Sequence, residues 1–134
     1  EYLPPISMSE SVNSEGYEFN AFVSPDESYL LFTGYNRADG LGSGDLYISF
    51  RNQQGEWSPA ENLGAKINSG QMDYCPFVDG NSETLYFTSR RSDIKPKPEG
   101  FKSTRSLLIE MNKHRNGQSR LYQTTMKIIL EKKQ

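Results

Sequence analysis

The single cysteine in this chain, Cys75, excludes an internal disulfide and leaves the redox compartment undecided. The single histidine, His114, lies in a basic stretch where a solvated ring is the expectation. No apolar run approaches the roughly 20 residues that a membrane-spanning helix needs. The opening "EYLPPISMSE" lacks the basic and apolar regions of an export signal, so no such signal is visible in this chain. There is no G-x-S-x-G elbow, no H-E-x-x-H, no C-x-x-C and no phosphate-binding loop. Hydrophobic residues make up only 34% of the 134 residues, but eight Tyr and seven Phe are present. That balance suits sheets, where flat rings pack across pleated faces. The length suits one ordinary domain and is too short for two independent cores.

Net charge is −2, unevenly spread. Residues 1–89 hold 13 Asp or Glu against 3 Lys or Arg, and residues 90–134 hold 12 Lys or Arg against 4 Asp or Glu. The expectation is that the two segments neutralise each other within the fold; the alternative is a basic face for an anionic partner. Nucleic acid is not the expected partner, since the strand pattern places the aromatic residues in the core.

The chain repeats itself. A shift of 55 positions aligns Pro4–Asn36 with Pro59–Arg91 without a gap. Asn13/Asn68, Ser14/Ser69, Phe22/Phe77, Val23/Val78, Leu30/Leu85, Phe32/Phe87 and Thr33/Thr88 are identical, and Glu18/Asp73 and Val12/Ile67 are close substitutions. Such a period points to a solenoid, an array or a propeller. "NAFVSP" and "SYLLFTG" read as a hairpin, as do "CPFVDG" and "TLYFTS", with Pro25-Asp26 and Asp79-Gly80-Asn81 at the turns. "GLGSG" then turns into a third strand, "DLYISFRN", and "GEWSPAENLG" supplies a fourth, edge-like strand. In the second unit "NGQSRLYQTTMKIIL" matches the third strand at an offset of 75, through Gly117/Gly42, Leu121/Leu46 and Tyr122/Tyr47. The repeats therefore span 4–58 and 59–131, with an insertion at 92–116. The insertion begins with the extended "DIKPKPEG" and continues as a short helix N-capped by Ser103, with Leu107, Leu108 and Met111 on one face.

These residues resemble the TolB-type, WD-repeat-like β-propeller repeat. The resemblance is carried by Ser24-Pro25-Asp26, Leu31-Phe32, Asn36-Arg37, Gly42-Ser43-Gly44, Asp45-Leu46-Tyr47, Trp57, Pro59 and Asn62-Leu63-Gly64. It implies an all-β fold of two adjacent four-stranded antiparallel propeller blades, with one short surface helix at most. Two departures stand out: Glu27 replaces the turn glycine, and Arg120 replaces the aspartate before Leu-Tyr. The second implies that the second unit lacks an arginine–aspartate link that the first has. The family occurs mostly in bacterial envelope and exported proteins, often as a binding scaffold, and a propeller by itself implies no single activity.

The expected core is Phe22, Val23, Leu30, Phe32, Leu46, Tyr47, Ile48, Phe77, Val78, Leu85, Phe87 and Leu121, with Cys75 as a small core residue. Arg37 and Asp45 flank the Gly-rich turn and are expected to pair, or to meet a ligand at the rim of a central channel. Glu18 and Asp73 are equivalent residues that would both face that channel, and Arg90 and Arg91 head a basic cluster. These six are the candidate partner-binding residues. No cofactor and no metal is expected; a calcium ion on Asp39 and Asp45 fits no established loop spacing. The functional expectation is a non-catalytic binding or scaffold module, periplasmic or exported, that contacts protein or glycan. The alternative is a fragment of a propeller glycoside hydrolase or sialidase-like enzyme, which would use paired carboxylates, although the Ser-x-Asp-x-Gly-x-x-Trp box is absent.

Closure adds one further expectation. "LPPISMSESVNS" aligns with "SPAENLGAKINS", so the chain opens on a fourth-strand segment, whereas the second unit stops after its third strand. The chain reads as the C-terminal part of a longer propeller. Alternatively, residues 3–12 of one copy pair with residues 120–130 of the next.

Overall fold

The computed structural model describes residues 3–95 and 97–130; Pro96 of the extended stretch and position 131, the end of the second repeat, lie outside the described residues. Seven strands form two antiparallel sheets. Sheet one contains β1 (Tyr17–Val23), β2 (Tyr29–Tyr35), β3 (Gly44–Phe50) and β4 (Glu61–Asn62), in sequential order. Sheet two contains β5 (Asp73–Asp79), β6 (Thr84–Ser89) and β7 (Arg120–Thr125), again in order. Helices α1 (Thr104–Met111) and α2 (Lys127–Leu130) flank β7 in sequence.

The repeat is structural as well as sequential. In each unit the first hairpin slips register at the same place, between Phe19 and Phe22 and between Tyr74 and Phe77. The aligned residues Asn20 and Cys75 sit in these slips with the same left-handed backbone, each at φ 53°. A bulge of this kind bends the strand and turns the extra residue out of the ladder. Cys75 is accordingly exposed, not a core residue. Glu27, which stands in for the turn glycine, also takes a left-handed conformation, at φ 56°, and forms an ion pair with Arg51. The backbone preference costs a non-glycine residue about 1–2 kcal/mol.

The sheets pack face to face, with β5 against β1, β2 and β3. Leu31, Leu46 and Ile48 of sheet one meet Val78, Leu85 and Phe87 of sheet two, and Leu63, Ile67, Met126 and Ile129 complete this core. A smaller cluster on the other face of sheet one joins Leu30, Phe32 and Tyr47 to Val12, with Trp57 and Ala60 alongside. At Gly42 the two units approach backbone to backbone, since a Cβ there would collide with the backbone carbonyl of Gln71. Gly44 and Met72 form an isolated parallel bridge beside it.

Besides Cys75, three expected core residues are not buried. Val23, Phe77 and Leu121 are 47%, 55% and 78% exposed, and Phe22 is half-buried. By strand alternation, Val23 and Phe77 lie on the opposite face from their buried neighbours Leu31 and Val78, and Leu121 on the opposite face from the half-buried Tyr122. Among the described residues sheet two has three strands, not the four expected. After β7 the chain turns back: the Met126 N–H donates to the Glu83 carbonyl, and Met126 and Ile129 enter the core. This turn is α2, a second helix beyond the one expected. Helix α1 starts where expected, after Ser103, whose hydroxyl accepts from the Ser106 N–H while the Ser106 hydroxyl receives the Ser103 N–H. None of its residues is buried, so its Leu107, Leu108 and Met111 lie on the surface. No helix among the described residues is long and apolar enough to cross a membrane.

Truncating either equivalent phenylalanine should open a cavity. Phe32→Ala and Phe87→Ala are each expected to cost roughly 3–5 kcal/mol in urea unfolding, whereas Leu121→Ala should change the stability of the dilute single chain by less than about 1 kcal/mol.

Candidate functional site

Both strand-end arginines fold inward. The Arg37 guanidinium lies 4.6 Å from the Tyr47 ring centroid and 5.5 Å from that of Phe32. Arg91 lies 4.5 Å from the Tyr122 ring and 5.4 Å from the Phe87 ring. The ring pairs beneath them match, with Phe32–Tyr47 centroids at 5.8 Å and Phe87–Tyr122 at 5.9 Å, both stacked. Their polar partners match too. Arg37 donates to the Val12 carbonyl at 3.2 Å and sits 3.6 Å from the Glu18 carboxylate, which also accepts from the Ser14 hydroxyl. Arg91 donates to the Ile67 carbonyl at 2.7 Å and to Asp73 at 3.1 Å. Asp73 in turn accepts from the N–H and hydroxyl of Ser69.

This arrangement corrects two expectations. Arg37 pairs with Glu18 and not with Asp45, because the carboxylate at the start of the first strand lies beside the end of the second, where Glu18 and Gly34 are paired. Arg120 therefore removes no link from the second unit, which has its own arginine–carboxylate pair. The ungapped alignment places Asn36 opposite Arg91. In three dimensions Arg37 is the counterpart of Arg91, because Asn36 (φ 59°) adds one residue at the strand end. Glu18 and Asp73 are indeed equivalent, but each is engaged by its own arginine and serine. The repetition of Ser14/Ser69 with Glu18/Asp73 was the available signal, and the one-residue slip hid the third member.

Asp45 does different work. Its Oδ2 accepts from the N–H groups of Leu41 (2.7 Å) and Gly42 (3.3 Å), holding the Gly-rich turn. Its Oδ1 is buried without a protein partner among the described residues. Burial pushes its pKa above the usual 3.8; the two turn N–H groups oppose this, and the charges of Asp73 and Asp39 add to it. Asp39 accepts from the Tyr47 hydroxyl at 2.8 Å, and burial with that bond pushes Tyr47 up to about 12. No group of three or more His, Cys, Asp or Glu is gathered for a metal among the described residues.

The basic cluster is dispersed. Arg90 is exposed and donates to the Gly117 carbonyl, Arg91 turns inward, and Lys97 lies over the Phe101 ring, 3.8 Å from Glu110. Charge neutralisation between the two segments is carried by Asp73–Arg91 and Glu83–Lys127 among the described ion pairs, the remainder lying within one segment or the other. Exposed at the same end of the sheets as Arg90 are Tyr17 and Tyr35, whose rings meet at 6.0 Å.

No family model, no curated protein and no solved structure matches this chain.

Two outcomes test this geometry. Arg91→Ala strands the fully buried Asp73 carboxylate and is expected to cost about 3–5 kcal/mol; Arg37→Ala, with a longer and more exposed pair, should cost less. Asp45→Asn should stabilise the fold at neutral pH. An aspartate with a raised folded pKa carries no penalty below 3.8 and acquires one as pH rises through the folded value. The gain should therefore vanish in urea titrations at acid pH.

Proposed function

We propose that the chain is a pair of TolB-type propeller blades acting as a non-catalytic binding or scaffold module of a bacterial envelope or exported protein. Sheets of short antiparallel strands in sequential order, stacked face to face along the chain, support the blade reading. The observation that carries the functional reading is the engagement of Glu18 and Asp73. These repeated carboxylates, the pair a hydrolase would use, are tied to Arg37 and Arg91 and to Ser14 and Ser69. Their chemistry is spent on holding strand ends.

The partner surface is the end of the sheets that exposes Tyr17, Tyr35 and Arg90. Aromatic and arginine side chains anchor protein partners, because they bury much area with few rotors and offer directional donors. A glycan would use the same ring faces.

The test is capture from a bacterial envelope extract on the immobilised chain, compared with Tyr35→Ala and Arg90→Ala. Retention should fall about tenfold or more with each, equivalent to the loss of a contact of ~1.4 kcal/mol. In parallel, chromogenic glycosides and esters should show no turnover above buffer. Turnover abolished by Glu18→Gln or Asp73→Asn would favour the hydrolase instead.

A further inference from the structure

Equivalent residues of the two units differ in burial in a consistent way. Val78 is 6% exposed and its equivalent Val23 47%; Leu46 is fully buried and its equivalent Leu121 is 78% exposed. Val78 and Leu46 lie in the core between the sheets. Val23 pairs with Leu30 on the face of sheet one turned away from sheet two, and Leu121 lies on the face of sheet two turned away from sheet one. Phe22 meets the Phe77 ring edge-on at 5.6 Å, while Phe77 is left 55% exposed. Each exposed residue thus occupies the position that its more deeply covered twin fills against a neighbouring sheet.

The strand edges show the same asymmetry. In sheet one, Asn62 pairs with Tyr47 and Glu61 with Ile48. The Leu63 N–H donates to the Leu46 carbonyl, and the Asn68 side chain clamps the same residue, accepting from its N–H at 2.8 Å and donating to its carbonyl at 3.0 Å. The counterpart of β3 is β7, an edge strand with no partner on its outer side among the described residues. The counterpart of residues 61–68 is residues 6–13, which already hold the same shape. The N–H groups of Ile67 and Asn68 donate to Gly64, and those of Val12 and Asn13 donate to Ser9. Asn68 Nδ2 reaches the Asn62 side chain at 2.8 Å, and Asn13 Nδ2 reaches the Ser7 hydroxyl at 3.2 Å. Ile6 is 88% exposed, with no strand paired to it among the described residues.

We infer that residues 6–13 of one copy of this chain add to β7 of a second copy, with Ser7 opposite Tyr122, Ile6 opposite Gln123 and the Asn13 side chain clamping the Leu121 peptide. Sheet one of the first copy then covers Leu121 and Phe77 of the second. The joint cannot form within one chain, because Val12 packs on the face of sheet one that points away from sheet two. Charge identifies the occupant as another copy. At the joint inside the chain, Asp45 lies within the electrostatic reach of Asp73, two like charges. At the joint between copies, Arg120 takes the place of Asp45 and Glu18 that of Asp73, which are opposite charges. The Arg120 Nε is buried and unpartnered among the described residues. The interface is head-to-tail, so repetition closes a ring or extends a filament, and three copies would make six sheets, within the range of about four to eight in closed propellers. This inference does not depend on the binding role proposed above.

Light scattering on the chain reads the joint directly. Three copies in one particle, or a series that lengthens with concentration, is expected. Asn13→Ala and Arg120→Glu should each weaken association about tenfold or more, and Leu121→Asp should yield monomers with an unchanged circular dichroism spectrum. In a Cys75→Ser background, Ile6→Cys with Gln123→Cys should form disulfides between copies under mild oxidation, since the equivalent positions Glu61 and Ile48 are direct cross-strand partners. A chain that stays monomeric at its highest soluble concentration would overturn the inference and assign the two faces to other repeats. So would an assembly unaffected by both Asn13→Ala and Leu121→Asp.

Discussion

A guanidinium laid on a Phe–Tyr pair and held by a carboxylate is the fixed point of each unit. It joins the start of the first strand, the end of the second and the middle of the third, and through the carbonyls of Val12 and Ile67 it also holds the segment that precedes each unit. A buried arginine is tolerable only when its charge is matched and its donors are used. Arg91 meets both conditions with Asp73, Ser89 and Ile67. The ring contact adds about 0.5–2 kcal/mol, toward the upper end where water is excluded. Removing any one member therefore unsettles three strands.

That anchor explains why the sheets can be so small. Isolated hairpins are marginal in water, and each unit here has only three or four short strands. Stability comes from stacking: the face of sheet one that carries Leu31, Leu46 and Ile48 is buried because sheet two lies on it. The same logic makes the outer faces incomplete. Leu121 and Val23 are apolar because the repeat makes them so, and they are exposed because no described neighbour covers them. A stacked array has this character: each unit lends its neighbour a surface that it cannot bury alone.

Asp45 shows how one letter of the repeat acquires a local meaning. In sheet one it caps the turn into β3, at the cost of burying its carboxylate and, to a smaller degree, of standing near Asp73 and Asp39. In sheet two the insertion replaces that turn, and Arg120 stands there instead. The substitution is harmless to the internal anchor and reverses the charge presented at the outer edge.

The 55-residue period, the hairpins, the Ser103 cap and most of the core were legible in the sequence, because strand alternation and turn chemistry are local properties. The candidate site was legible only in part. Arg37, Arg91, Glu18 and Asp73 were visible as repeated charges, but a single left-handed residue, Asn36, displaced the register and concealed which arginine matched which. Pairing is a property of strand ends brought together in space, and an alignment by position does not carry it. Burial was misjudged where it depends on a neighbour: Val23 and Val78 are the same residue in the same local pattern, and only the presence of a second sheet against one of them distinguishes inside from outside. The chain's own residues determined what each unit is; the stacking of the units decided which surfaces are core and which are left to be joined.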